Sequence, residues 1–544
     1  MTRSPPNATA RSRLSATVRR LSAAFAARVS VDPRALAAFR IGLGTLLIAD
    51  LLRRSRSLTA FYTDAGVLPR RALFADYAPV YSVHALVGDA WAVAALFAVA
   101  GAFALALVVG YRTRLVTLVS WLLLLSLQTR NPMVLNAGDS LLPMLLFWGL
   151  FLPLGARWSV DAIRRTDAGA SPETADADDA GDDTVSTGSA VATVASLALL
   201  LQMLVMYVTN AVHKLEGDLW MSGEAVVYVM QADHLTYLLG NHVAGFPALL
   251  RAFTVMWVAL LFASPLLLLL TGLPRAAVAS LFVGMHLGMA ATMRIDLFPL
   301  ISVVGFIPFL QAPVWDLAER IVERFGPSSA LARTRTRLAA AGRAVASADA
   351  SLPRPGPLGG SRTALTGRLD GGRVVLSTVI PYVFVVLILL SSAQSVGYGE
   401  VPDAGEDVLD AVEMEQNWQM FAPDPLRTTR WFAAPGTLEN GSERDVFRGG
   451  PASLDRPPDV DATYPSARWR KYLTSVRAAD NENHRSYLAN YLCAEWNRTH
   501  ETRVENVSVY KLYERTNPYN GTVEAANEYE LIEYDCSGPF VQNE

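Results

Sequence analysis

Apolar positions in this chain run together in long blocks, with polar residues gathered between them and at both ends. A segment crossing a bilayer needs about 20 consecutive apolar residues. That length predicts nine spans, near residues 35 to 52, 85 to 109, 115 to 128, 140 to 156, 190 to 212, 248 to 271, 276 to 293, 297 to 312 and 374 to 396. The third and fourth are short and are expected to tilt or break. After residue 400 the pattern changes, with Trp, Tyr, Pro and charge replacing Leu and Ala. There the period-2 runs Trp431 to Leu438 and Glu443 to Phe447 flank Asn440-Gly441 and predict a hairpin. His484 to His500 reads as a helix, and Val504 to Glu514 with Glu528 to Cys536 as two strands around a turn at Asn517 to Gly521. The expected fold is an all-α polytopic membrane bundle of about nine transmembrane helices, followed by a small extracytoplasmic α+β domain.

Composition agrees with a membrane protein: 51% of the 544 residues are hydrophobic and 18% charged, and the mean hydropathy is +0.25. Charge sets the expected orientation. Residues 1 to 33 form a basic tail, amphipathic around Leu14 to Val31, and the arginines after the second, fourth and sixth spans fall on the same side as this tail. So does a linker at 314 to 373, rich in Arg, Pro and Gly. This predicts a cytoplasmic N-terminus, a membrane domain over 34 to 313, a last span at 374 to 396 and an extracytoplasmic domain at 400 to 544. An acidic segment at 166 to 189 reads as a solvated cytoplasmic linker. Residues 53 to 83 resist the scheme, because an external loop there carries five arginines. Sequons at Asn440, Asn497, Asn506 and Asn520 agree with an external tail. A disulfide between Cys493 and Cys536 would fit an oxidising exterior, the alternative being two buried thiols.

Ionisable groups inside spans cost about 2.5 to 3.5 kcal/mol to insert and are therefore candidate sites. They include Arg40 and Asp50 in the first span, His213 and Lys214 at the end of the fifth and His286 in the seventh, and the fifth also carries the uncharged polar Gln202 and Asn210. Gln202, Met206, Asn210 and Lys214 recur every four residues and share a helix face. Of the 47 basic residues only Lys214, Lys471 and Lys511 are lysine. Arginine cannot be deprotonated in a protein, whereas a desolvated lysine can serve as a neutral base or nucleophile. Lys214 is thus the leading catalytic candidate; the alternative is a snorkelling lysine at the membrane edge. His286 is either a second catalytic group or a histidine satisfied by a neighbouring helix. Arg40 and Asp50, ten residues apart, do not share a face and read as contacts locking the bundle. His234 and His242 follow Lys214 in an external segment. No pattern of His, Cys or acidic residues has metal-ligand spacing, so no metal is expected. There is no phosphate-binding glycine loop and no nucleophile elbow. The basic stretches lack interleaved aromatics, so no nucleic-acid partner is expected.

The segments Asp32-Pro33, Ala38-Phe39-Arg40-Ile41-Gly42-Leu43-Gly44, Phe61-Tyr62-Thr63-Asp64-Ala65-Gly66-Val67-Leu68-Pro69 and Leu146-Phe147-Trp148-Gly149-Leu150-Phe151-Leu152-Pro153-Leu154-Gly155 resemble the HTTM (horizontally transferred transmembrane) family. This is the microbial relative of vitamin K-dependent gamma-carboxylase. In the tail, Trp418-Gln419-Met420-Phe421-Ala422-Pro423, Pro457-Pro458-Asp459 and Arg468-Trp469-Arg470-Lys471-Tyr472 look like microbial members of the same family. Tyr111-Arg112, Trp158-Ser159-Val160-Asp161, and His213-Lys214-Leu215 with Asp218 and Trp220 look like carboxylase segments. The resemblance covers about 30 to 320 and 410 to 540. It implies that Lys214 is the base that deprotonates a reduced isoprenoid quinone of the menaquinol type, assisted by His286. Gln202, Asn210, His213, Trp220 and Arg40 would be polar support around a dry pocket. One motif departs from the pattern: the carboxylase has a histidine between its third and fourth spans, where this chain reads Arg130 to Asp139 without one, so Asn136 or Asp139 would have to substitute. The tail is also shorter than the carboxylase's, with no evident propeptide-binding module. Partners expected are the bilayer and an envelope protein as substrate. The alternative is a non-catalytic anchor whose external tail binds an envelope protein, with transport through the polar interior a weaker third. The oligomeric state stays open.

Overall fold

The computed structural model describes residues 7–77, 81–167, 190–325, 340, 342–344 and 375–540. All but the first two residues of the acidic linker predicted at 166 to 189, and most of the Arg/Pro/Gly-rich linker, lie outside them. Helix α1 (Asn7–Val29) precedes α2 (Pro33–Ser55), whose start is fixed by Asp32: its carboxylate accepts the Arg34 N–H, and Pro33 occupies the first helical position. There follow α3 (Ala90–Val109), α4 (Thr113–Thr129), α5 (Ala137–Gly149), α6 (Val194–Leu215), α7 (Pro247–Ala263), α8 (Gly272–Thr292) and α9 (Phe298–Phe306). Then come α10 (Ala312–Phe325) and α11 (Ile380–Ser395).

Among the described residues, five helices are long and apolar enough to cross a membrane: Pro33–Ser55, Ala90–Val109, Val194–Leu215, Gly272–Thr292 and Ser377–Ser395. A sixth span is formed if Phe298–Phe309 and Ala312–Arg324 count together, although they bend by 100°. The remaining predicted spans are shorter helices. α4 and α7 have 17 residues each, and α5 has 13 and ends at Gly149, seven residues before the predicted boundary of 156. Helix α5 is almost wholly buried, so its apolar run reflects bundle packing as much as lipid exposure.

The tail contains α12 (Asp403–Ala411), α13 (Ala467–Ala478), α14 (Asn483–Thr499) and five strands. These are β1 (Thr429–Ala433), β2 (Pro435–Leu438), β3 (Glu443–Asp445), β4 (Val504–Thr516) and β5 (Val523–Asp535). Long β4 pairs antiparallel with β5 along one edge and with β1 and then β2 along the other. The predicted hairpin is β2–β3, with Gly441 at φ 77° in its turn. The predicted strand from Trp431 is two strands, β1 and β2, which pair with successive stretches of the same edge of β4 and are interrupted at Ala434, whose N–H and C=O bond instead to Asp445 and Val446. A disulfide joins Cys493 of α14 to Cys536, just past β5, with Cα atoms 5.6 Å apart.

The tail and the membrane domain share one core. Phe61 packs against Trp469 and Tyr472 of α13, at centroid distances of 4.8 and 5.7 Å. The fold also gives partners to most of the five arginines at 53 to 83. Arg54 pairs with Asp50 at 2.7 Å and Asp139 at 2.5 Å, Arg53 with Asp296 at 2.8 Å and Arg70 with Asp64 at 2.7 Å, while Arg71 stacks over Tyr487 and Phe540. Four of the five are thus neutralised or stacked inside the fold, so they carry little weight as free loop charge.

Candidate functional site

A cavity of about 860 Å³ lies between α6, α7, α8, the segment after α11 and α13. Its walls are mostly apolar, and its polar groups come from both the membrane helices and the tail. That combination, an apolar volume with a few converging polar groups, is typical of a binding site.

Helix α6 brings Asn210 and Lys214 to the wall, one turn apart. Lys214 is 2% exposed, and among the described residues no carboxylate pairs with it. Its Nζ donates to the carbonyls of Met420 at 2.7 Å and Phe421 at 3.4 Å and sits 3.9 Å above the Trp220 ring. Trp220 Nε1 donates to the Phe421 carbonyl at 2.8 Å, and the Asn210 amide donates to the carbonyls of Trp418 and Met420 at 2.8 and 3.1 Å. The partner of the predicted polar face is therefore main chain from the tail. Residues 414 to 419 run extended with alternate side chains buried, Met414, Gln416 and Trp418 facing in. Phe421, at φ 53°, then turns the backbone so that two successive carbonyls meet α6.

Helix α8 supplies His286, fully buried, with Nε2 2.9 Å from the Tyr207 hydroxyl and Nδ1 without a hydrogen-bond partner. Tyr207, one turn before Asn210 on α6, also lines the cavity, as do Trp220 and Asn136. Asn136 is the N-cap of α5: its side chain accepts the Gly138 N–H while Asp139 accepts the Asn136 N–H, a reciprocal cap that fixes the start of the helix.

Four expected residues are elsewhere. Arg40 lies off the cavity and donates to the carbonyls of Val108, Leu154, Arg157 and Trp158, tying together three chain segments. Gln202 accepts from Trp148 Nε1 at 3.2 Å and donates to Gln416 at 2.7 Å, clasping the tail segment below the cavity. His213 is buried on another face of α6, with Nε2 unpartnered. Asp139 is committed to Arg54 and Arg468, so it does not stand in for the missing histidine; of the two proposed substitutes, Asn136 alone reaches the cavity.

Several lining residues went unread as site residues. His234, which the sequence placed only in an external segment, faces the cavity; its Nδ1 accepts the Arg430 N–H at 3.2 Å, so the ring proton sits on Nε2. Burial, with Arg470, Arg430 and Lys511 nearby, pushes its pKa well below the usual histidine range and keeps it neutral. Arg470 of α13 donates to the carbonyls of His234 and Arg294, at 2.9 and 2.5 Å, and burial lowers it to about 10, still charged at neutral pH. Asp296, paired with Arg53, also lines the cavity, as do Lys471 and Thr474. The one available signal for α13 was the Arg468-Trp469-Arg470-Lys471-Tyr472 motif, whose spatial partner the sequence did not disclose. Among the described residues, no group of three or more His, Cys, Asp or Glu side chains is placed to hold a metal ion.

Comparison with protein-family models, curated proteins and solved structures finds no match to this chain.

Proposed function

We propose that this chain is a membrane-embedded, quinol-using enzyme related to vitamin K-dependent gamma-carboxylase, with Lys214 as the base. The observation that carries the reading is Lys214 itself: buried, with no carboxylate partner among the described residues, at the wall of an apolar cavity that also holds Asn210 and the Tyr207–His286 pair. The motifs resembling the HTTM family support the same assignment. On this reading nine helical segments cross or enter the membrane, the N-terminus is cytoplasmic and the α+β domain extracytoplasmic.

The residues present suit an isoprenoid quinol. Aromatic and aliphatic walls accept the ring, and Lys214, Asn210 and His286 can face its oxygens. A bound quinol would supply, with dioxygen, the oxidation that generates a strong base for proton abstraction and carbon dioxide addition. Lys214 would accept the hydroxyl proton, with the Met420 and Phe421 carbonyls holding its nitrogen in place. Asn210, anchored by the Trp418 and Met420 carbonyls, would fix the ring's orientation. Trp220 and the 414 to 421 segment would exclude water from Lys214. The wall formed by Arg470, Lys471 and Thr474 would be where a second substrate, such as an envelope protein, meets the cavity. The alternative of a non-catalytic anchor with an independent binding tail is less favoured, because α13 of that tail builds part of the cavity.

The test is to purify the full chain in mild detergent, extract it and measure isoprenoid quinone and quinone epoxide by mass spectrometry, beside Lys214→Arg. Quinone bound to both proteins, with epoxide formed only by the wild type under dioxygen, is the expected result. Absence of any quinone from the wild type, even after incubation with menaquinol, overturns the reading.

A further inference from the structure

The cavity reaches the exposed face of α8 on one side. On α8, at 100° per residue, Met285 and Met289 face the cavity, His286 flanks them on the bundle side, and Gly284 and Gly288 flank them on the other. Both glycines line the cavity and are exposed, as is Met256 on α7 across from them. A Cβ placed on either glycine would meet no atom within 4 Å. In a span whose exposed residues face hydrocarbon, open space of this kind is an aperture to the lipid phase. Size points the same way, since about 860 Å³ holds a ring system and the first part of a chain but not a polyisoprenoid tail. At the inner end the fully buried His286 keeps Nδ1 unpartnered, which marks that end for a polar head group.

We infer that the aperture at Gly284 and Gly288, between α7 and α8, is a lateral portal through which a long-chain lipid ligand enters from the bilayer, its tail lying across the two glycines and its head at His286 and Lys214. The identification of that head as a quinol rests on the function proposed above; the portal does not. A Cβ alone fits at either position, whereas a bulky side chain there would occupy the space taken by the tail.

The experiment uses the full chain in lipid nanodiscs, with Gly284→Phe and Gly288→Phe as plugs and Gly284→Ala and Gly288→Ala as matched controls. Melting temperatures confirm that each variant folds. Menaquinone with its full tail and tail-less menadione are titrated separately, read by quenching of tryptophan fluorescence, since Trp220 and Trp257 line the cavity. The plugs should weaken menaquinone at least about tenfold, through loss of buried chain methylenes, while menadione binds to wild type and plugs alike. Unchanged menaquinone binding in folded plugs overturns the portal, and so does equal loss of both compounds. Should the wild type bind neither, the quinol reading fails, and lipids extracted from the purified proteins decide the portal. A long-chain lipid present in wild type and lost from the plugs supports it; identical lipid content overturns it. A change from dimer to monomer in the plugs with ligand content unchanged also overturns it, assigning the glycines to helix pairing instead.

Discussion

Nζ of Lys214 donates a 2.7 Å hydrogen bond to the carbonyl of Met420, 206 positions away, so the end of a membrane helix and the start of the tail domain meet at the candidate base. Because the acceptors are neutral carbonyls, an amine and an ammonium can both occupy this position, whereas a carboxylate partner would favour the ammonium. Arginine would keep the charge and the stacking on Trp220 but could not give up its proton. Lys214→Arg should therefore cut quinol oxidation by about 10²- to 10⁴-fold, the usual worth of a positioned base, with quinone binding retained. Timed epoxide formation alongside a binding titration checks this; a variant within about twofold of wild type in turnover would remove Lys214 from the chemistry.

Arg468, on α13, reaches Asp50 at 2.7 Å and Asp139 at 3.0 Å, and Arg54 meets the same two carboxylates. Asp296 and Arg53 extend this into a balanced cluster of three acids and three arginines that joins the two domains. Removing one partner from a buried ion pair strands the others and costs about 3 to 5 kcal/mol. Arg468→Met should lower the melting temperature and expose the tail to protease at concentrations that leave wild type intact. Lys471→Met, on the same helix but exposed, is the control and should change neither.

The membrane character, the face bearing Asn210 and Lys214, helix α14 and the β4–β5 pair were legible because each rests on local periodicity or turn chemistry. What periodicity could not give was the partner of each polar residue. Gln202 and Asn210 sit on one helix stripe, yet the first clasps Gln416 and the second lines the cavity, because the tail segment crosses the stripe only part of the way. Arg40 was legible as a contact locking the bundle, which its bonds to four carbonyls of other segments make it, and only the family resemblance drew it toward the site. Asp139 looked like a site residue only because it lies in the motif where the resemblance expects a histidine, and its arginine partners could not be read from periodicity. His234 stayed unread because its neighbours Arg430 and Arg470 come from strands and helices about 200 residues away.

The disulfide ties α14 to the end of β5 across a sequence separation of 43, and both cysteines of the chain are used in it. Opening it should cost about 2 to 4 kcal/mol. Purified protein should not react with maleimide until it is reduced. Cys493→Ala with Cys536→Ala should lower the unfolding temperature of the tail while leaving quinone binding intact, since neither residue touches the cavity. Maleimide labelling of native, unreduced protein would contradict the bond.

Glu413 gives the fold a pH dependence with a definite sign. Burial, and next the nearby Asp139, raise its carboxyl to about 7, against the opposing pull of Arg54. The folded pKa lies above the unfolded value of about 4.3, so the native state binds more protons between the two. This group's contribution to stability is fully present below the unfolded pKa and is lost as pH rises through 7. The loss is on the order of 1 to 2 kcal/mol once partial solvent access is allowed for. Glu413→Gln, which cannot ionise, should therefore gain on wild type as pH climbs from 5 to 8, and the two melting curves should converge at the acid end. Glu415, raised to about 7 first by its hydrogen bond with Asp410 and then by burial, adds a slope of the same sign that Glu413→Gln leaves in place. Melting temperatures of wild type, Glu413→Gln and Glu415→Gln across that range separate the two. A constant offset between wild type and Glu413→Gln at every pH would show that the Glu413 carboxyl is ionised throughout and that Arg54 outweighs burial.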